Sequence, residues 1–117
     1  MDFRKNQPIY MQIADVIIAD ILLKKIQDGD RIPSVRELAI SLEVNPNTVQ
    51  RSYQWLQDEN IIYQRRGIGF FLCEEVFAKS IKVKREDFLR EQLPNTLKQG
   101  KLLQVDLNTI QNIYNKL

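Results

Sequence analysis

With 117 residues, the chain is long enough for one compact domain and a short extension, because domains typically span about 100–150 residues. Hydrophobic residues make up 44% of the sequence and charged residues 27%, which is ordinary for a globular protein. No apolar run approaches the roughly 18 residues that cross a bilayer, and the first residues lack the pattern of a secretory signal. We therefore expect a cytoplasmic protein.

Two features of the composition limit the chemistry. Histidine does not occur, and Cys73 is the only cysteine. Common zinc sites, an internal disulfide and histidine-based catalysis are thereby excluded, whereas carboxylates, lysines and tyrosines are present and could still act as catalytic groups. We expect no enzyme, no metal site and no cofactor. The net charge does not indicate the type of binding partner, because residues 1–73 contain nine basic and nine acidic side chains. A nucleic-acid site must therefore depend on where the charges lie.

The first predicted element is a helix. Apolar residues recur at helical spacing over residues 9–26, and the Asp-Gly-Asp sequence at 28–30 suits the end of that helix and a turn. The helix is apolar over so much of its circumference that we expect it to pack on two sides. One side belongs to its own core, and the other faces a further helix or a second subunit.

Two shorter helices follow, separated by a tight turn. The helix over residues 34–42 has Ser34 at its N-cap and a glutamate three residues later, which is the spacing of a capping box. The helix over residues 46–59 begins with a proline and has Asn45 as its cap. Two helices in this arrangement, with the second one entering the major groove, form a helix-turn-helix.

A β-hairpin and a helical tail complete the chain. Strands are predicted over residues 61–65 and 70–73, joined by an Arg-Gly-Ile-Gly turn. A charged amphipathic helix is predicted over residues 74–92, ended by Leu93-Pro94-Asn95, and a last helix over residues 105–117. The predicted fold is mainly α with a small β-hairpin: residues 1–73 form an N-terminal winged helix-turn-helix DNA-binding domain, and residues 74–117 form a short two-helix dimerisation tail.

The candidate DNA-binding residues are polar or basic and lie on the two short helices and the hairpin turn. They are Ser34, Arg36, Asn45, Asn47, Thr48, Gln50, Arg51, Arg65, Arg66 and Gly67. Amides pair with adenine edges, arginine forks onto guanine, and hydroxyls hold phosphates. Several of these residues also have a simpler explanation, because the segment from Asn45 to Thr48 could be only a capped helix start, Arg36 could form only a surface ion pair, and the turn arginines could be only solvated charge. The order of capped helix, turn, polar-fronted helix and basic hairpin favours the DNA-binding interpretation.

Residues 8–72 resemble the GntR family of bacterial regulators. The matching segments are Pro8-Ile9-Tyr10 with Gln12-Ile13, Gly29-Asp30-Arg31-Ile32-Pro33-Ser34 with Arg36 and Leu38-Ala39, Val44-Asn45-Pro46-Asn47-Thr48-Val49 with Arg51, Tyr53 and Leu56, and Ile61-Ile62 with Arg66-Gly67 and Gly69. The resemblance implies that Arg36 contacts DNA, that Asn45, Asn47 and Thr48 meet phosphates and bases beside Arg51, and that the turn around Gly67 reaches the minor groove.

The chain departs from the family pattern at three positions. Glu43 stands where the turn commonly has glycine, which is compatible with a longer helix. Asn60 replaces a glycine at a helix end, and the left-handed conformation permits that exchange. Phe70 replaces a small hydroxyl residue of the hairpin, which puts a phosphate contact at that position in doubt.

The length of the tail indicates the subfamily. Most GntR-type proteins carry a ligand-binding or aminotransferase-like domain after the winged helix, whereas only 44 residues (117 − 73) follow Cys73 here. This is similar to the YtrA-type subfamily, in which a two-helix tail serves dimerisation and the regulators commonly repress operons for ABC transporters. The predicted dimerisation residues lie at helical spacing near the C-terminus: Leu107, Ile110, Ile113, Tyr114 and Leu117. The alternative is that the tail folds back on the first helix within one subunit.

Two functional hypotheses follow. The first is a sequence-specific transcriptional regulator, a repressor, that binds a palindromic double-stranded DNA operator as a homodimer. The second is a winged helix that serves as a protein–protein interaction module, which the balanced charge of residues 1–73 favours. Against the second stands the absence of acidic residues from 45 to 57. A small-molecule effector is expected, if one binds, near Phe77 and Phe88, and its identity does not follow from the sequence.

Overall fold

The computed structural model describes residues 7–117, and membrane-spanning helices are absent from this part of the chain. The described residues form helices and short strands in the order α1 (Ile9–Leu22), β1 (Arg31–Ile32), α2 (Val35–Leu42), α3 (Pro46–Asp58), β2 (Ile62–Arg65), β3 (Gly69–Leu72), α4 (Val76–Asp87), a π-helical turn (Phe88–Gln92), α5 (Leu93–Leu102) and α6 (Leu107–Lys116). They divide into two compact units, one reaching Val83 and the other spanning Lys84–Leu117. The mainly helical winged helix-turn-helix fold is confirmed.

The core of the first unit lies between α1, α3 and the sheet. Apolar side chains from one face of α1 are buried together with those of α3 and the strands: Ile13, Ala14, Ile17, Ile18, Ile21, Val49, Tyr53, Leu56, Ile62, Phe70 and Leu72. Their spacing of three and four residues on the helices and two on the strands is the periodicity from which the elements were predicted.

The sheet has three antiparallel strands in the order β1-β3-β2, so β3 is central. The hairpin of β2 and β3 was predicted, but β1 was missed. It consists of Arg31 and Ile32, which pair with Phe71 and Phe70, and two residues are too few to show a period in the sequence. Because β1 runs antiparallel to β3, it ends on the side of the sheet where the β2–β3 turn lies, and α2 begins there.

Tyr53, in the middle of α3, connects the other parts of the first unit. Its side chain is fully buried, and its hydroxyl donates a hydrogen bond of 2.6 Å to the carbonyl oxygen of Pro33, which lies between β1 and α2. Its ring packs edge-to-face on Phe70 of β3, with the ring centroids 4.9 Å apart. Burial raises the pKa of Tyr53, so the phenol stays protonated and available as a donor. Tyr53 was predicted to be a core residue, and this is confirmed.

The start of α2 has the capping box that the sequence predicted. The Glu37 backbone N–H donates to the Ser34 hydroxyl oxygen at 3.0 Å, and the Ser34 N–H donates to the Glu37 carboxylate at 3.2 Å. The hydrogen bonds from the Ser34 backbone and side chain hold the pKa of Glu37 below its usual range, and the nearby charge of Arg31 adds to this effect. Asn45 likewise caps α3, because its side-chain oxygen accepts from the Asn47 N–H at 2.8 Å.

Two helix ends differ from the predictions. α1 ends at Leu22, four residues before the predicted Ile26, because Lys24 adopts a left-handed conformation (φ 59°) that no helix can continue. Glu43 does not lengthen α2; it adopts the same conformation (φ 56°) and ends the helix. Both residues accept a backbone geometry that glycine adopts more easily. Asn60 adopts the expected left-handed conformation at φ 59°.

The first unit continues past the predicted domain boundary at residue 73. The carboxylate of Asp28 accepts hydrogen bonds from the backbone N–H groups of Glu75 (2.8 Å) and Val76 (3.0 Å), which begin α4. Val76 and Ser80 of α4 are buried, and the Lys24 ammonium lies 5.0 Å from the centre of the Phe77 ring. The first turns of α4 therefore pack on the winged helix.

In the second unit, the helical run is longer than the sequence predicted. The helix does not end at Leu93-Pro94-Asn95, because Pro94 lies in the first turn of α5 and the helical run continues to Leu102. Proline lacks an N–H and its ring crowds the carbonyl group one turn earlier, and the wider π-helical turn immediately before α5 makes room for it. The last helix, α6, starts two residues later than predicted, and the Asp106 carboxylate caps it by accepting from the Thr109 N–H at 2.8 Å.

The hydrogen bond of Tyr53 can be tested by Tyr53→Phe, which removes the hydroxyl and leaves the Pro33 carbonyl without this donor. We expect the free energy of unfolding in urea to fall by about 1 kcal/mol. Tyr63→Phe is the matched control, because Tyr63 is exposed on β2, and its change should stay within about 0.5 kcal/mol. Equal stability of the Tyr53 variant and the parent chain would contradict the role given to this bond.

The capping box predicts a pH dependence. Because the pKa of Glu37 is lowered in the folded state, its ionised carboxylate stabilises the fold above the unfolded pKa of 4.5, and this contribution is lost as the pH falls through the folded value. Glu37→Gln should therefore be less stable than the parent at neutral pH, and the difference should shrink below about pH 4.5. Urea unfolding from pH 7 to pH 3 measures it, and a difference that grew on acidification would contradict the assignment.

Candidate nucleic-acid interface

The first group of predicted site residues lies at the start of α2. Arg36 is exposed on the first turn of the helix, and within residues 7–117 its guanidinium forms no ion pair. The surface ion pair considered as the simpler explanation is thus not present in the described part of the chain. Ser34 is half-buried and its oxygen already accepts the Glu37 N–H, so only its hydroxyl proton remains to contact a phosphate.

The second group lies on the first turns of α3. The side chains of Asn47, Gln50 and Arg51 are exposed, while Thr48 is half-buried. Asn45 uses its oxygen to cap the helix, which leaves its amide group free to donate. The first backbone N–H groups of a helix carry partial positive charge, so this end of α3 favours phosphate oxygens. The arrangement offers donors and amides for base edges and no carboxylate.

Tyr10 at the start of α1 holds Arg51 in place. The guanidinium carbon of Arg51 lies 4.1 Å from the centre of the Tyr10 ring, within the range of a cation–π contact. The Ser52 hydroxyl donates a hydrogen bond of 2.5 Å to the Tyr10 carbonyl, which fixes the tyrosine on α3. A shallow open depression of about 280 Å³ results, and it is lined by Pro8, Ile9, Tyr10, Asn47, Thr48 and Arg51.

The third group forms the turn between β2 and β3. The Ile68 N–H donates to the Arg65 carbonyl at 2.9 Å and closes the turn, and Gly67 has φ 75°, a geometry that suits glycine. Arg65 and Arg66 are exposed, and the Arg65 guanidinium carbon lies 5.5 Å from the centre of the Phe71 ring. Phe70, the departure from the family pattern, is explained by the core, since it packs on Tyr53.

The predicted site residues thus lie on three elements. Asn47, Thr48 and Arg51 line one depression, whereas the α2 group and the turn group are joined to α3 through the contacts of Tyr53 with Pro33 and Phe70. Sequence reasoning missed Tyr10, although the Pro-Ile-Tyr segment was part of the family pattern. In the residues that the structure describes, acidic, cysteine and histidine side chains form no cluster able to hold a metal ion.

The comparisons with known proteins agree with this geometry. Residues 9–72 match the model of the bacterial regulatory proteins of the gntR family. The chain is 42% identical over 101 residues to the HTH-type transcriptional regulator YhcF of Bacillus subtilis, covering 86% of this chain and 82% of that protein. It is 39% identical over 94 residues to the HTH-type transcriptional repressor YtrA of the same organism, covering 80% and 71%.

Solved structures of similar proteins have the same fold. A GntR family transcriptional regulator from Listeria monocytogenes superimposes with a TM-score of 0.77 at 35% identity, covering 98% of this chain and 99% of that one. YtrA from Sulfolobus acidocaldarius, a GntR-family transcription factor, has a TM-score of 0.58 at 37% identity, covering 77% and 95%. The AraR DNA-binding domain in complex with operator ORX1 has a TM-score of 0.56 at 25% identity, covering 62% and 93%.

The family match covers more than half of the chain, and it coincides with the α1-to-β3 region that carries the interface. The two relatives share the helix-turn-helix and are named as transcription regulators, not as enzymes. The resemblance to YtrA-type regulators is also confirmed. The chain belongs to the gntR family of bacterial regulatory proteins, and it is a DNA-binding transcription regulator.

Proposed function

We propose that this regulator is a cytoplasmic repressor that binds a palindromic operator as a homodimer. The observation that carries the proposal is the polar front of α3, where Arg51 lies on Tyr10 beside Asn47 and Thr48 with no carboxylate among the residues lining the depression. A recognition helix needs this combination of directed donors and uncompensated positive charge.

The ten predicted site residues receive their roles within this proposal. Asn47, Thr48, Gln50 and Arg51 enter the major groove, and the amide of Asn45 and the hydroxyl of Ser34 donate to phosphates. Arg36 contacts a base edge from the first turn of α2. Arg65 and Arg66 reach the minor groove, where Gly67 allows the backbone to approach the sugar-phosphate chain.

The alternative, a winged helix that binds only proteins, fits the surface less well. Protein interfaces are usually depleted in charge at their centre, with apolar and aromatic side chains in that place. Here the exposed face of α3 presents amides and an arginine, and the aromatic side chains Tyr10 and Phe71 contact arginines within the same chain. The equal numbers of acidic and basic residues over residues 1–73 describe the whole domain, not this face.

The homodimer is supported by the second unit. Leu107, Ile113, Tyr114 and Leu117 lie on one side of α6 and are between 56% and 98% exposed. Ile110, the fifth residue of the predicted set, is half-buried. A solvent-exposed stripe of this kind is unfavourable in water, and a second copy of the same helix would bury it. In the proposal, residues 1–73 bind DNA and residues 74–117 dimerise, with no cofactor.

The DNA-contact assignment predicts the effects of Arg36→Ala and Arg51→Ala. Each should weaken binding to a duplex selected in vitro with the parent chain by about 1–3 kcal/mol, and each should relax the base preference at one position of a half-site. Titration of labelled duplexes carrying single base changes measures both effects. Arg85→Ala is the control, because Arg85 is an exposed arginine of α4 outside the proposed interface.

The results also separate the two hypotheses. If in vitro selection with the parent chain enriches no sequence, and binding to random DNA is equal for all variants, the repressor proposal is wrong and the protein-interaction module takes its place. If the parent selects an operator but both arginine variants bind it normally, DNA binding stands and the assignment of these two residues fails.

The dimer assignment predicts that Ile113→Asp shifts the chain from dimer to monomer, because a carboxylate in an apolar interface loses its hydration without a partner. Sedimentation velocity at micromolar concentration measures the shift. Asn112→Asp adds the same charge on the opposite side of α6 and should leave the dimer intact. A parent chain that sediments as a monomer would rule out the dimer and favour the fold-back alternative for the tail.

A further inference from the structure

The outer face of the sheet, opposite the core, carries two arginines and two aromatic rings. The strand register places Arg31 of β1 and Tyr63 of β2 on either side of Phe71 of β3, and Arg65 opposite Gly69. Tyr63 stacks on Phe71 with the ring centroids 5.8 Å apart and the planes inclined by 28°. The alternate residues Ile62, Phe70 and Leu72 point into the core. Arg31 is not among the ten candidate DNA-binding residues predicted from the sequence.

Gly69 makes space for the Arg31 side chain. A Cβ atom on Gly69 would lie 2.9 Å from the Arg31 Nε, 3.5 Å from Nη2 and 3.6 Å from Cζ, so the guanidinium lies over the glycine. The φ of 147° at Gly69 also belongs to a region that residues with side chains rarely adopt. Since Arg31 pairs with Phe71, its side chain runs along β3 towards the β2–β3 turn.

The side chain of Arg65 runs along the sheet in the opposite direction, away from the β2–β3 turn. It pairs with Gly69, and its guanidinium carbon lies 5.5 Å from the centre of the Phe71 ring. One guanidinium group therefore lies over Gly69 and the other beside the ring of Phe71, two residues further along β3, although like charges repel. Neither forms an ion pair in the described part of the chain, and the carboxylate that affects Arg31 electrostatically, Glu37, is hydrogen-bonded to the Ser34 N–H.

We propose that Arg31 and Arg65 together bind one phosphate of the DNA backbone beside the β2–β3 turn. A phosphate offers the negative charge that this pair lacks, and guanidinium groups match its oxygens in a bidentate geometry. Phe71 and Gly69 hold both arginines without neutralising them, as a carboxylate would. The position fits the proposed function, on which the inference depends, because β1 ends at the side of the sheet where the turn lies and α2 with Arg36 begins.

The salt dependence of binding tests the proposal. We would measure the dissociation constants of the parent chain and of Arg31→Gln, Arg65→Gln and the double variant for a random-sequence duplex between 50 and 300 mM salt. One phosphate contact contributes about 0.9 to the slope of log K against log salt, so the double variant should lose about 0.9 per bound subunit. At 0.1 M salt this corresponds to about tenfold weaker binding for each bound subunit, equal for random and selected duplexes.

The control variant removes the same charge elsewhere. Lys82 and Arg85 are exposed on α4, and Lys82→Gln/Arg85→Gln should leave the slope unchanged. An equal loss with this control would show that only net charge matters, and it would overturn the site. A loss of about 1.8 per subunit in the Arg31/Arg65 double variant would mean two phosphates and would overturn the shared site. An unchanged slope would overturn it as well.

Replacing single DNA phosphates by neutral groups locates the phosphate that Arg31 and Arg65 bind. In a selected duplex, methylphosphonate replaces one phosphate at a time, and binding of the parent chain should weaken at one position in each half-site where the double variant is insensitive. Arg31→Gln and Arg65→Gln should each lose part of the sensitivity at that same position. Separate positions for the two arginines would overturn the shared phosphate. A parent chain that selects no duplex contradicts the proposed function, whereas the salt slopes on random DNA still decide the phosphate site.

A free anion is the other source of the same chemistry. Titration with inorganic phosphate distinguishes it: weak binding, no tighter than millimolar, is expected for a site completed by DNA. Submillimolar binding that Arg31→Gln abolishes, with DNA affinity unchanged, would make this an effector site and overturn the proposal. Circular dichroism confirms that each variant is folded, which the exposed positions of Arg31 and Arg65 lead us to expect.

Discussion

The DNA-binding unit depends on the burial of Tyr53. β1 has two residues and α2 has eight, and neither element is stable by itself in water. Through its hydroxyl and its ring, Tyr53 fixes the junction of these two elements and the central strand β3 to the recognition helix. A leucine at this position would fill the core but would offer no donor to the Pro33 carbonyl. The packing of α2, α3 and the β2–β3 hairpin against one another therefore depends on a side chain that is itself fully buried.

The arginines of this surface are positioned without carboxylates. Arg51 lies on the Tyr10 ring, Arg65 over the Phe71 ring and Arg31 over the Cα of Gly69. An ion pair would order these side chains equally well, but it would also neutralise them, and a phosphate would then have to displace a carboxylate. An aromatic ring restricts the guanidinium, contributes about 0.5–1 kcal/mol at an exposed site and leaves the full charge available. If these arginines contact DNA as proposed, their side chains are already ordered before binding, which would lower the entropic cost of binding.

Local signals predicted most of the fold. The caps at Ser34 and Asn45 work through side chains within three residues, so the sequence contains all the information they need. The missed features depend on the rest of the molecule. Lys24 and Glu43 adopt left-handed conformations that their residue types disfavour. Pro94 lies within a continuous helical run because a π-helical turn precedes it, and no local sequence pattern predicts that turn.

The site was predicted as a set of exposed residues and not as an arrangement. Residue types and their order along the chain predicted a surface, but Tyr10 and Arg31 were overlooked because their contacts with Arg51 and Gly69 cross the fold. Tyr10 meets Arg51 over 41 residues of sequence (51 − 10), and Arg31 meets Gly69 over 38 (69 − 31). Single-sequence patterns report spacing within an element, and pairings of this range become visible only when the sheet and the helices are assembled.

The balanced charge of residues 1–73 bears on how a DNA-binding protein of this kind would distinguish its operator from random DNA. Long-range attraction to DNA depends on the net charge, which is zero over this segment. Under the proposed function, attachment to random DNA would therefore depend mainly on the basic side chains that contact phosphates. Specific binding adds base contacts to these phosphate contacts. The free energy of specific binding is therefore considerably more favourable than that of non-specific binding. A basic domain would bind random DNA more tightly and lose part of that difference. If the proposed interface is correct, a few arginines without carboxylate partners on a neutral domain would favour selective binding over high affinity for random DNA.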